Sequence, residues 1–275
     1  MEGIVLEAHF ANTTSLRYFS AWDDQLTLKV GQDWVPPFQL EALHMGSCHL
    51  GPRYPMWVRS QKSLSSLVLS NTSLADVPPD WIFHFSSELQ CLDLSQNQMH
   101  GRIPNLMNIG MQDYSEINLS QNHLEGPLPL VSSKVNKLDL SDNLLSGSIS
   151  QFLCCSPSEP MNMVVLYLAK NQLSGNLPNC WSKWNNIQAL YLNDNSFGGG
   201  IPSSFSLFIF LQSLYLRSNN LYGILSLSSL QNCINLVTLD FSRNKFERNI
   251  PTWLGTSPSK LRFLIAGFND FHGHT

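Results

Sequence analysis

Charge is scarce in this chain of 275 residues: Asp, Glu, Lys and Arg together make up 13%, with a net charge of -4. That leaves no basic surplus to neutralise phosphates, which argues against a nucleic-acid partner. Long apolar runs are missing as well. Hydrophobic residues form 43% of the chain, and the nearest thing to a continuous run is Leu207 to Leu211. A bilayer span needs roughly 18 to 20 apolar residues in succession, so no membrane span is expected within the chain. Met1 to Phe10 carry Glu2 and Glu7 and no basic residue ahead of an apolar core, so this segment does not read as a secretory signal. The six cysteines are too few and too scattered for a disulfide-stapled miniprotein. No second Cys or His pair stands near Cys154 and Cys155 to complete a four-ligand zinc site. The eight histidines are dispersed, with His100 before Gly101 and His272 and His274 flanking Gly273, and no Ser, His and acid set is suggested by spacing. A Gly-rich phosphate loop and a kinase signature are both missing. The expectation is a protein with no catalytic residues, no metal and no cofactor.

What is abundant is leucine, 43 residues, and asparagine, 24. Such a bias calls for a search for internal repeats. The pattern Leu-x-x-Leu-x-Leu-x-x-Asn-x-Leu fits Leu89, Leu92, Leu94, Asn97 and Met99, and again Met163, Leu166, Leu168, Asn171 and Leu173. Repeat starts fall at Leu16, Leu40, Leu64, Leu89, Tyr114, Val135, Met163, Ile187, Leu211, Leu236 and Leu261, which makes eleven. In Leu214-Tyr215-Leu216 the leucines share one face of a short strand and the tyrosine takes the other, because side chains alternate along a strand. No unit of this size can bury its apolar face alone; stacking lets each strand pair in parallel with the next and builds one continuous core. The expected fold is an α/β repeat solenoid with a parallel β-sheet on its concave face and short 3-10 or irregular segments on its convex face.

Asn97, Asn122, Asn143, Asn171, Asn195, Asn219, Asn244 and Asn269 occupy one register. A buried amide there has the donors and acceptors to satisfy turn groups of neighbouring repeats. The same register holds Asp24, Cys48 and Thr72 in the first three repeats, where the ladder is expected to be weaker.

After each strand comes a second pattern: Gly101, Ile103 and Pro104; Gly147 and Ile149; Gly175, Leu177 and Pro178; Gly199, Ile201 and Pro202; Ile250 and Pro251. In this Leu-x-Gly-x-Ile-Pro segment the chain resembles the plant-specific leucine-rich repeat, over nearly its whole length. Asp33-Trp34-Val35-Pro36-Pro37-Phe38-Gln39-Leu40, with Pro55-Met56-Trp57 and Pro79-Asp80-Trp81, is similar to the ectodomains of plant receptor-like proteins. The resemblance is to the group that contains receptors for a fungal xylanase and apple scab resistance proteins. It implies a cell-surface immune receptor with one membrane span and no kinase of its own. Such a receptor senses a pathogen-derived protein or peptide and signals through partner receptor kinases. Two alternatives share the repeat: an extracellular inhibitor of a microbial wall hydrolase, like the polygalacturonase inhibitors of plants, and the ectodomain of a leucine-rich-repeat receptor kinase.

Residues 1–15 read as the second half of a truncated repeat, and residues 16–275 as eleven repeats in a single solenoid, the last one incomplete. The cysteine-bearing caps that the resemblance implies are missing, so the expectation is a fragment or decayed copy of a longer protein, exposing apolar core at both ends. Cys48, Cys91 and Cys233 fall on regular positions and read as small core residues. Cys154 or Cys155 could bridge to Cys180 across adjacent repeats, clamping the Ser156 to Pro160 insertion, or all three could stay free thiols. Asn12, Asn71 and Asn118 begin Asn-x-Ser/Thr acceptors for glycosylation. A glycan on Asn118 would project from the strand face and disfavour ligand contact around the fifth repeat.

Outward strand positions carry the candidate site, since a fold of this kind does not itself state a function. They read Asp93, Asn118, Asp139, Tyr167, Tyr191, Tyr215 and Asp240. Three successive tyrosines would form a ladder on the concave face, beside Lys170, Asp194, Arg217 and Arg243. Tyrosine and arginine are common anchors of binding surfaces, although tyrosine ladders also stabilise sheets by cross-strand packing. The aspartates read as structural or solubilising.

Overall fold

The computed structural model describes residues 3–22, 26–155, 160–225, 227–250, 252–255 and 260–272. Eleven strands, from Tyr18–Ser20 to Phe263–Ile265, form one sheet in which each pairs in parallel with the strand of the next repeat. The leucine pattern dictates this arrangement. In Val165–Tyr167, Ala189–Tyr191 and Ser213–Tyr215, Leu166, Leu190 and Leu214 point inward and are fully buried, as are Leu168, Leu192 and Leu216 just beyond. Each such leucine stabilises the stack by about 2 kcal/mol of apolar burial. Short helices close the opposite side: Met56–Ser60, Asp80–Phe83, Trp181–Trp184, Ser203–Leu207 and Thr252–Gly255 are 3-10, and Ser150–Cys154 and Leu227–Leu230 are α.

A second parallel sheet of eight strands runs from His100–Arg102 to Asp270–Phe271. The sequence reading assigned no strand there. These strands read His-Gly-Arg or Leu-Leu-Ser-Gly-Ser and lack the β-branched alternation that announces a strand. What builds them is the glycine of the Leu-x-Gly-x-Ile-Pro segment. Gly101 and Gly199 hold φ of 77° and 72°, and a Cβ on Gly199 would lie 2.9 Å from the Asn176 side chain. Only glycine meets both demands cheaply. Gly3–Leu6 pairs in parallel with Leu26–Lys29 in the same manner.

The asparagine ladder is formed as the amide chemistry requires. Asn219 donates from Nδ2 to the carbonyls of Leu192 and Leu216, both at 3.0 Å, and its Oδ1 accepts the Phe197 N–H at 3.0 Å. One side chain thus ties its own turn to the preceding repeat. Asn97, Asn122, Asn143, Asn171, Asn195, Asn244 and Asn269 repeat the scheme. In the third repeat Thr72 offers only its hydroxyl, to Leu69 O, and in the second Cys48 offers a thiol to Ala21 O at 3.4 Å. Asp24, with Ser156 to Glu159, Pro251, Gly273 and His274, lies outside the described residues.

Two positions depart from the sequence reading. Tyr114 is 69% exposed with φ of 64°, while Ser115 is fully buried and takes the inward place as the register shifts between Val135 and Lys137. Met111, fully buried, supplies apolar volume there. Cys91 is not core: it stands at the outward edge of its strand, half-buried, between Ser66 and Glu116. Cys48 and Cys233 are buried. Cys154 is disulfide-bonded to Cys180 with their Cα atoms 5.2 Å apart, and Cys155 is a free, exposed thiol.

Candidate functional site

The outward face of the main sheet is built from two strand registers. One runs Asp93, Asn118, Asp139, Tyr167, Tyr191, Tyr215, Asp240 and Ile265. On either side of the tyrosines this register is consumed by local structure. Asp139 Oδ1 accepts from Ser141 N at 2.9 Å and from Ser141 Oγ at 2.6 Å, and Asp93 and Asp240 do the same with Ser95 and Ser242. Asn118 repeats the motif with Ser120. These side chains hold the strand exit in an Asx-type turn. The structural role expected for the aspartates is therefore what they perform.

Burial raises the Asp139 carboxyl above its usual range, against the lowering pull of the Ser141 bonds and of Lys137. For an acid whose folded pKa is raised, ionisation favours the unfolded chain. The penalty is absent below the unfolded pKa and grows as pH rises through the folded one. Asp139→Asn, which copies the arrangement at Asn118, is expected to raise the urea midpoint at pH 7 and to change nothing at pH 3.

The three tyrosines break this pattern, since residues 169, 193 and 217 are Ala, Asn and Arg rather than Ser. Freed from the turn, their rings stack face to face. Tyr167 and Tyr191 have centroids 4.4 Å apart at 19°, and Tyr191 and Tyr215 lie 4.7 Å apart at 9°. All three are half-buried. Burial between its neighbours raises the Tyr191 phenol above its ordinary value, so the hydroxyl stays protonated at neutral pH. The neighbouring register carries small residues, Val165, Ala189 and Ser213, so the stack stands as a ridge above a shallow row.

Lys170, Asp194 and Arg243 all occupy the residue before the asparagine ladder, with φ of 55°, 55° and 54°. This left-handed turn recurs in ten repeats, from Ser47 to Phe268, and turns the side chain outward. Lys170 Nζ lies 3.6 Å from Asp142 Oδ2, Asp194 Oδ2 accepts from Asn193 Nδ2 at 2.7 Å, and the Arg243 guanidinium sits 4.8 Å over the Phe268 ring. Arg217 is exposed one place earlier in its repeat. The tyrosines and the first turn residues are thus brought to one face, with Arg243 at its far end. Sequence reasoning missed the polar border of this face, a cavity of about 270 Å³ between Tyr114 and Phe210 lined by Asn136, Asn162, Asn186 and Gln188. These residues lie at or next to the repeat starts, where the repeat pattern leaves residue type open.

Of the glycosylation candidates, Asn12 and Asn71 are exposed in turns, with the Asn71 amide donating to Ser47 Oγ at 3.1 Å. Asn118 lies half-buried on the main sheet, its Oδ1 engaged by Ser120. Among the described residues no group of His, Cys, Asp and Glu is placed to hold a metal ion.

The family model for the Leucine Rich Repeat matches residues 186–208 and 235–257. Receptor-like protein EIX2 of Solanum lycopersicum is 41% identical over 272 residues, covering 99% of this chain and 26% of that protein. Over nearly its whole length the chain is similar to the plant leucine-rich-repeat receptor-like proteins. Receptor-like protein 47 of Arabidopsis thaliana is 33% identical over 266 residues, 96% of this chain and 32% of its own length. The chain spans about a quarter to a third of these receptor-like proteins. Among solved structures, the Arabidopsis receptor kinase HAESA, in complex with the peptide hormone IDA and the co-receptor SERK1, superposes with a TM-score of 0.66 at 25% identity. That match covers 98% of this chain and 48% of the receptor kinase. These relatives are receptors.

Proposed function

We propose that this stretch is the ligand-recognition region of a plant receptor-like protein that senses a protein or peptide, pathogen-derived, at the outer face of the cell membrane. The parent protein passes the signal by associating with partner receptor kinases. The observation that carries this reading is the stack of Tyr167, Tyr191 and Tyr215: three adjacent repeats give up the Asp-to-Ser turn contact and present half-exposed aromatic rings instead. A ridge of rigid rings with polar tips supplies contact area at low conformational cost, and Lys170, Asp194, Arg217 and Arg243 supply charge beside it. The reading involves no catalytic step, no cofactor and no nucleic acid. Among the described residues no helix is long and apolar enough to cross a membrane, so the membrane span that this reading requires is assigned to the parent outside those residues.

Replacing all three tyrosines with Ala in the full-length parent is expected to weaken capture of its protein ligand at least about tenfold while leaving the melting temperature within a few degrees. Surface plasmon resonance alongside differential scanning calorimetry checks both. Unchanged affinity removes this face from the account.

A further inference from the structure

Trp57, Trp81 and Trp181 stand at matching places in the convex helices, and their surroundings differ. Trp57 and Trp181 are buried, Trp57 against Trp34 at 5.4 Å and Trp181 beneath Phe205 and Phe208 from the helix of the following repeat. Trp81, in Asp80–Phe83, lacks such a cover. The next repeat continues from Ile103 to Tyr114 without a helix. Trp81 is left half-buried, edge-on to Tyr54 and Phe85 at 6.4 and 6.2 Å. A cavity lies on each side of it, about 640 Å³ towards Pro104 and Asn105 and about 500 Å³ towards Tyr54 and Met56.

The charges around these cavities are unspent. Arg59 and Lys62 line the larger one and Arg53 the smaller, and among the described residues none of the three has a carboxylate within ion-pair distance. Asp80 and Asn105 add acceptors and an amide at the rim. In the larger cavity Trp81, Phe85 and Pro104 lie among Arg59, Lys62, Asp80, His84 and Asn105, poor ground for a peptide side chain, which needs an apolar socket. It suits a sugar ring, whose C–H face packs on an indole while its hydroxyls meet Asp and Asn. The free guanidinium and ammonium groups select a sugar bearing carboxylates, with Arg59 able to bind one in bidentate fashion.

The geometry points to Trp81, Arg59 and Lys62 as a binding site for an acidic oligosaccharide, one built of uronic acids. It lies on the opposite side of the solenoid from the tyrosine stack and stands independently of the function proposed for that face.

The test is isothermal titration of the chain with a galacturonic acid decamer in calcium-free buffer, with a neutral xylose oligomer and a decaglutamate peptide as comparison probes. The decamer is expected to bind in a salt-sensitive manner, and both Trp81→Ala and the double variant Arg59→Glu/Lys62→Glu are expected to lose at least about tenfold. The double variant changes only exposed side chains, so it reads the site even where Trp81→Ala loosens the fold. The protein with all three stack tyrosines replaced should bind the decamer as the parent does, which separates this site from the concave one. The proposal is overturned by absence of decamer binding, by equal binding of the neutral oligomer, or by binding of decaglutamate matching the decamer and indifferent to Trp81.

Discussion

Asn219→Asp is expected to destabilise the solenoid by more than about 4 kcal/mol at pH 7, exceeding Asn219→Ala at about 3 kcal/mol, although Asp is nearly isosteric with Asn. The buried amide donates to Leu192 O and Leu216 O at 3.0 Å and lies 3.3 Å from Arg217 O, while accepting from Phe197 N. Alanine leaves the Phe197 N–H without its partner in a place closed to water, and takes one of two donors from the Leu192 and Leu216 carbonyls, which keep the amides of Asn195 and Asn244. Aspartate keeps the acceptor but aims a charged oxygen at three carbonyl oxygens. Its folded pKa must therefore rise above the unfolded value, so the loss is greatest above the folded pKa and shrinks as pH falls towards the unfolded one. Urea unfolding at pH 7 and pH 5 measures this. The parent amide does not titrate, so a recovery on acidification belongs to the substitution alone.

Trp181→Ala is expected to cost about 3 to 5 kcal/mol and Trp181→Phe no more than about 1.5 kcal/mol. The ring is fully buried, with Trp184, Phe205 and Phe208 at 6.5, 5.2 and 5.4 Å. Alanine empties the centre of that cluster and uncouples the helix Trp181–Trp184 from Ser203–Leu207. Phenylalanine retains most of the contact. It also removes an indole N–H that has no acceptor among the described residues, a liability that offsets part of the lost volume. Thermal unfolding of both variants checks the difference. A phenylalanine variant as unstable as the alanine one would contradict this reading of the cluster.

Leucine and asparagine spacing carried most of the architecture, because each has a single physical role in every repeat: burial for one, turn satisfaction for the other. Leu214 and Leu216 could be turned inward from their spacing alone, and the tyrosine between them outward. The spacing failed where a role passed to an atypical residue. Tyr114 occupies a leucine position, yet a register shift puts Ser115 inside, its hydroxyl donating to the Gln112 carbonyl. The second sheet was missed because its strands are held by backbone geometry at glycine rather than by side-chain pattern. The exposure of Trp81 was equally hidden, since it depends on what the following repeat lacks.

Within the candidate site, the tyrosine register was legible, and the structure adds that its flanking aspartates are spent on Ser95, Ser141 and Ser242. Why Arg217 stands one place out of line is also physical: the left-handed turn residue of that repeat is Ser218, and Arg217 precedes it.

Hydrogen exchange of the full-length parent, with and without its bound protein ligand, decides whether the ligand sits on the tyrosine face. Added protection is expected in peptides covering residues 163–195 and 211–219, where the tyrosines and their turn residues lie. Protection confined to the convex side, across residues 53–62 and 80–85, or to neither region, would contradict it.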